Sequence, residues 1–217
     1  MNILLISSSP HKEKSQTFFL AKEVLKGLPV AVKIEIIHLC DLKIEFCRHC
    51  ESCHRKIMNC PINDDVGMIL EKMLNAEGII FATPNYINQI TASMKALWDR
   101  AGHFIHCRRL LGKYVLGVVT SGSGEDKGVL DYIHSYANIC GAQYSGGVSS
   151  RRPVSKEKKK DALELGNKFS LDIQEERVFP EQLKFLDEFK EHFKNIIHLR
   201  KDDWLEEHQY WLNKGWL

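Results

Sequence analysis

The sequence is short of several things, and each shortage removes a class of function. No apolar run approaches the roughly 18 residues that cross a bilayer; Ile3–Ile6 is far too short. No charged-then-apolar segment opens the chain, so no secretion signal is expected. Neither sign of charge prevails: 30 Lys and Arg stand against 28 Asp and Glu, a formal net charge of +2. A dedicated nucleic-acid binder would carry a clear basic excess. The Gly-x4-Gly-Lys-Ser/Thr pattern of triphosphate loops is absent, and Gly122, Gly124 and Gly128 miss the dinucleotide spacing by one residue. There is no internal repeat. What remains is an ordinary globular composition, 44% hydrophobic in 217 residues, enough for one domain that needs no disulfide staples. Seven cysteines without a secretion signal then read as metal or redox ligands. A soluble, cytoplasmic protein that binds neither membrane nor nucleic acid is expected.

The apolar run Ile3-Leu4-Leu5-Ile6 ends in Ser7-Ser8-Ser9-Pro10 and suits a strand buried on both faces. Leu20, Ala21, Val24, Leu25 and Leu28 recur at helical spacing, closed by Gly27 and Pro29. Val32, Ile34, Ile36 and His38 alternate as a second strand. Helices are predicted over Val66–Leu74, with Asp64 or Asp65 as N-cap, over about Thr91–Ile105, and through Val129–Cys140. Strands are predicted at Gly78–Ala82, Tyr114–Val119 and Gln143–Val148, and the basic stretch Arg151–Lys160 begins the last core helix. Five short strands alternating with helices give an α/β fold, a doubly wound parallel sheet with helices on both faces. Residues 1–178 form this domain, with an inserted cysteine loop at 47–60; residues 179–217 form a C-terminal helical extension.

The loops after strands one, three and four open on one edge, where such sheets bind ligands. The first, Ser7–Thr17, brings hydroxyls and cations to a helix N-terminus, where free N–H groups and the helix dipole favour an anion. Ser9, Ser15 and Thr17 can donate to a phosphate, although Ser15 could equally be a plain N-cap. A mononucleotide phosphate fits better than a triphosphate or a dinucleotide. Pro84-Asn85-Tyr86-Ile87-Asn88 offers an aromatic ring and two amides, and Thr120-Ser121-Gly122-Ser123-Gly124 offers backbone amides to a planar ligand.

Cys47-x2-Cys50-x2-Cys53-x6-Cys60, followed by Pro61, resembles iron–sulfur ligation more than structural zinc. Zinc and metal-free thiols stay open as alternatives. Arg48, His54, Arg55 and Lys56 surround the sulfurs, and His49 and His54 are alternative ligands. Cys40, Cys107 and Cys140 have no sequence partners and read as small buried residues.

Three segments carry a family resemblance. Ile6–Thr17 resembles the Gly-Ser-Pro-Arg/Lys-x-x-Ser-Asn-Thr phosphate loop of the flavodoxin-like NAD(P)H-dependent FMN reductases, with Ser8, His11 and Gln16 replacing glycine, arginine and asparagine. Thr83–Arg100 resembles their Pro-x-Tyr segment and the Leu-Lys-x-x-x-Asp-Arg that follows, here Met94–Arg100. The cysteine loop with Asn63-Asp64-Asp65 is similar to the compact motif of the iron–sulfur flavoproteins within that family. The resemblance covers about residues 1–175. It implies a flavodoxin-like fold and FMN as cofactor. Ser7, Ser9, His11, Ser15, Gln16 and Thr17 would lie at the phosphate, Pro84, Asn85, Tyr86, Ile87 and Asn88 beside the flavin ring, and Thr120, Ser121, Gly122 and Gly124 on the opposite rim. NAD(P)H would be the co-substrate, and Cys47, Cys50, Cys53 and Cys60 the ligands of a [4Fe–4S] cluster.

The function expected is a redox flavoprotein that moves electrons between NAD(P)H, FMN, the cluster and a small-molecule or protein acceptor, with no catalytic side-chain acid or base. A two-electron flavin, quinone or azo reductase without a cluster, a flavin carrier without a nicotinamide site, and a flavin-free scaffold are the rivals. A homodimer or homotetramer is expected. Leu183, Leu186, Phe189, Phe193 and Ile196 mark one apolar helix face in the tail, and Trp204, Tyr210, Trp211 and Trp216 follow. That tail either folds back on its own domain or packs as an arm on a second subunit.

Overall fold

The computed structural model describes residues 1–217. Strands β1 (Asn2–Ser7), β2 (Lys33–His38), β3 (Gly78–Pro84), β4 (Tyr114–Ser121) and β5 (Gln143–Arg151) form one parallel sheet in the order β2-β1-β3-β4-β5. The helices are α1 (Gln16–Lys26), α2 (Ser52–Arg55), α3 (Val66–Asn75), α4 (Ala92–Asp99), α5 (Gly102–His106), α6 (Lys127–Ile139), α7 (Lys156–Gln174), α8 (Pro180–Leu199) and α9 (Leu205–Asn213). The order of the sheet reverses between β1 and β3, so the crevice beyond their carboxyl ends is the natural ligand position.

The continuous apolar runs are buried because helices cover both faces. Leu4, Ile6, Ile79 and Phe81 face α3 to α6, whereas Ile3, Leu5, Ile80, Leu116 and Val118 face α1 and α7. β2 lies at the edge and keeps its alternation, with Ile37 buried and Ile34 and Ile36 exposed. Helices α1 and α7 touch backbone to backbone: a Cβ at Gly166 would lie 2.0 Å from the Val24 carbonyl oxygen, and one at Gly27 2.1 Å from that of Leu163.

One expected element differs. The helix predicted over Thr91–Ile105 breaks at Arg100 and Ala101 into α4 and α5. The next residue, Gly102, is a weak helix former whose missing side chain leaves room for the His54 ring, 3.2 Å from where its Cβ would be. Asp65 is the N-cap of α3 as expected, but its side chain is turned elsewhere: it accepts from the Lys43 N–H at 2.7 Å, and Asp64 accepts from the Glu45 N–H at 2.9 Å, pinning the segment that enters the cysteine loop.

The tail folds back on its own chain. The Gln182 side chain accepts from the Tyr144 N–H at 2.7 Å and donates to the Tyr144 carbonyl at 2.9 Å, pairing one residue of the free edge of β5. Of the predicted apolar face of α8 only Leu186 is buried, while Ile197 joins Trp204 and Trp211 in a separate small core. Trp204 and Trp211 are thus covered within one chain, as the fold-back alternative expects.

Candidate functional site

Two cavities with opposite chemistry collect the residues singled out in the sequence. The first, about 150 Å³, lies at the carboxyl edge of β1, β3 and β4. It is lined by Ser9, His11, Lys14, Ser15, Gln16, Thr17, Pro84, Asn85, Tyr86, Thr120, Ser121 and Arg152, with no carboxylate among them. Ser15 caps α1 by accepting from the Phe18 N–H at 3.0 Å, which leaves its own hydroxyl proton free to donate. Thr17 and Thr120 share one proton across 2.6 Å, so the pair retains another for a ligand. The Gln16 side-chain oxygen is committed to the Val154 N–H at 3.1 Å, leaving its NH₂ available. Hydroxyls, amides, two cations and a helix N-terminus are the donors an anion would need.

The other predicted residues stand around that cavity. Ser7 is fully buried in the end of β1, and its hydroxyl has no partner within the chain. Ile87 and Asn88 are outside the lining: both have positive φ, 54° and 59°, in a tight hairpin closed by Tyr86 and Gln89. Tyr86 is thereby held at the rim, half exposed. Left-handed geometry is costly for a β-branched residue such as Ile87, so the surrounding loops must enforce it. The Asn85 amide does part of this by donating to the Glu125 carbonyl at 2.9 Å and to Asp126 at 3.1 Å, which joins the loops after β3 and β4. Gly122 and Gly124 lie beyond the lining in the second of these loops, and a Cβ at Gly122 would be 3.7 Å from the Arg152 guanidinium.

The second cavity, about 310 Å³, is lined by Cys47, Cys50, Cys53 and Cys60 together with Arg100, His54, His106 and Trp204. Left-handed His49 and Glu51 curl the loop, turning the His49 N–H toward the Cys47 sulfur at 3.4 Å. The Ser52 hydroxyl, 3.4 Å from Cys50, holds that thiol below its ordinary range. Arg100, buried to 3% exposure, donates to Cys60 at 3.2 Å, to the Glu45 carbonyl at 2.9 Å and to both oxygens of Asp64 at 2.7 and 3.1 Å. Burial would raise the Asp64 carboxyl, but Arg100 and the backbone N–H groups outweigh it and hold it below the usual range. Donor hydrogen bonds and a fixed cation suit anionic sulfur ligands.

Behind Cys53 stands Glu207 of α9, fully buried, accepting from His54 Nδ1 at 2.7 Å and from His106 Nδ1 at 2.9 Å. Burial would push the His54 imidazole down; hydrogen bonding to Cys53 and Glu207 reverses this and carries it up to about 10. Cys107 and Cys140 are buried as expected, and burial raises both thiols. Cys40 is exposed, a correction, its sulfur 3.6 Å from the Ser9 carbonyl at the start of the first loop.

Sequence reasoning missed Lys14, Arg152, Arg100 and Glu207. The first two lay in stretches recognised as basic, whereas Arg100 and Glu207 meet their partners across 36 and 153 positions, which no local pattern discloses.

Comparison with known proteins adds three findings. The profile of the NADPH-dependent FMN reductase family matches residues 1–151. An iron–sulfur flavoprotein of Archaeoglobus fulgidus is 37% identical over 131 residues, 56% of this chain and 60% of its own length; a second from the same organism is 27% identical over 226 aligned positions covering both chains entirely. The match thus spans less than two thirds of the first of these relatives. Among solved structures a flavone reductase superposes with a TM-score of 0.63 at 18% identity, over 80% of this chain and 63% of that one, a likeness of fold.

Proposed function

The chain belongs to the NADPH-dependent FMN reductase family of flavin-dependent oxidoreductases, and on that premise we propose that it passes electrons between NAD(P)H, FMN, a [4Fe–4S] cluster and an acceptor. The observation that carries this reading is the pair of cavities, one lined by anion donors and one by four thiols. When bound, FMN takes up a hydride as an electron pair and a four-iron cluster handles electrons singly, chemistry that belongs to the groups themselves.

The residues contribute binding and electrostatics. Ser9, Ser15, Thr17 and the Gln16 amide would hold the FMN phosphate, with Lys14 and Arg152 balancing its charge. Tyr86 would flank the ring. Cys47, Cys50, Cys53 and Cys60 would hold the cluster, with Arg100 and the His49 N–H donating to its sulfur ligands. The tandem Cys47-x2-Cys50-x2-Cys53 spacing, with Cys60 before Pro61, resembles iron–sulfur ligation more than structural zinc.

One anaerobic preparation tests the proposal. Purified protein should be yellow-brown, contain FMN, iron and acid-labile sulfide, and oxidise NADH or NADPH. Absence of flavin would overturn the whole reading. Zinc with neither iron nor sulfide would remove the cluster and leave the flavin.

A further inference from the structure

We propose that Arg100 is a positioning residue for the cysteine site: held by Asp64, it presents a permanent cation to the Cys60 sulfur and so favours negative charge on the group the four thiols hold. The inference deepens the cluster reading above and rests on it.

Arg100 caps the C-terminus of α4, where the carbonyl end of the helix dipole favours a cation. Its backbone is anchored from the core. Leu97 and Trp98 in the preceding turn are buried, and the Trp98 ring lies flat on Tyr136 with centroids 3.8 Å apart. The side chain is fixed more tightly still. It is buried together with that of Asp64, and its guanidinium meets both carboxylate oxygens as a fork. It also donates to the Glu45 carbonyl at 2.9 Å and to the Cys60 sulfur at 3.2 Å. Glu45 precedes the first cysteine of the loop and Asp64 follows the last, so one side chain ties both ends together. Closing the loop needs only those two partners. The bond to sulfur goes beyond it.

Arg48, Arg55 and Lys56 flank the thiols in sequence, but all three are exposed, where water and salt screen them. Arg100 is buried, and a guanidinium keeps its proton at any working pH. Reduction adds negative charge to ligand sulfurs, and net charge and hydrogen bonds at those sulfurs set cluster potential. A fixed cation bonded to one sulfur therefore favours the reduced form, and the carboxylate behind it offsets part of that effect. The two members of the pair should thus act with opposite sign.

The test uses the full chain, purified anaerobically, with Arg100→Gln, Arg100→Lys and Asp64→Asn; the amide variants keep hydrogen-bonding groups where they remove charge. At a fixed applied potential the ratio of reduced to oxidised cluster should fall about tenfold in Arg100→Gln, which is about 59 mV for a one-electron couple. Arg100→Lys should restore part of that loss, and Asp64→Asn should move the potential upward. An unchanged potential in Arg100→Gln would overturn the proposal. Shifts of the same sign in Arg100→Gln and Asp64→Asn would do so too, because a loop merely loosened responds alike to the loss of either partner. Loss of iron from all three variants would reduce the pair to a structural clasp, again against the proposal. If the parent itself holds no iron and sulfide, the cluster reading fails and the proposal falls with it. A parent that holds the cluster while the variants' potentials do not separate keeps that reading and removes the proposal alone.

Discussion

His103 shows how one side chain ties stability to pH. It is 1% exposed, its ring edge-on to Phe104, and one nitrogen lies 3.2 Å from the Met58 sulfur of the cysteine loop. Burial holds its imidazole down to about 4, against an ordinary 6.5. The unfolded chain therefore takes up a proton that the folded chain refuses as pH falls through 6.5. Stability should drop between pH 6.5 and 4, by up to about 3 kcal/mol, and level off below, where both states are protonated. Urea titrations at pH 7 and 4.5 should show a smaller acid loss in His103→Leu than in the parent. At the anion cavity, Ser9→Ala with Thr17→Ala removes two hydroxyl donors. With about 1.5–3 kcal/mol for each bond to a charged group, FMN affinity should fall at least tenfold by fluorescence titration. Unchanged affinity would place the phosphate elsewhere. These hydroxyls were legible because the first loop delivers them consecutively, whereas Arg152 reaches the same cavity from the far end of β5.

Among the elements, strands were easier to read than the ends of helices. Runs such as Ile79-Ile80-Phe81 are apolar on both faces because the sheet is covered twice, and that leaves a signature in consecutive residues. The break between α4 and α5 leaves none, since the side chains that accompany it, His54 and Asp64, arrive from the cysteine loop and the segment just after it. Nor does the sequence reveal that α1 and α7 meet backbone to backbone. Gly166→Ala would push a methyl group into the Val24 carbonyl, a clash that neither helix can relieve without moving apart. Overpacking of this kind costs about 1–3 kcal/mol, enough to lower Tm by several degrees in a chain of this size. Gly67→Ala is the contrasting case. Its Cβ would meet nothing within 4 Å in the first turn of α3, and it should stabilise by up to about 1 kcal/mol. Calorimetry on both variants should move Tm in opposite directions.

For the molecule as a whole, the question is what the tail is for. Its apolar spacing was visible in the sequence, but its destination was not, because an amphipathic face does not name the surface it covers. Within the chain it closes the cysteine cavity: Trp204 lines it, and Trp211 donates to the His106 carbonyl at 2.9 Å from full burial. No tail residue lines the anion cavity. The two cavities should therefore respond differently to truncation after Leu199, which keeps α8 on the edge of β5 and removes α9 with Trp204, Glu207 and Trp211. Trypsin should then cut at Arg48, Arg55 and Lys56 much faster than in the full chain, and iron content should fall, while FMN retention stays near that of the parent. Oligomeric mass by light scattering should not change, since the removed residues cover their own chain. A lower mass after truncation would mean that α9 also holds a second subunit. FMN lost along with the iron would show that the two sites depend on each other through the fold, and that the tail supports more than the loop it covers.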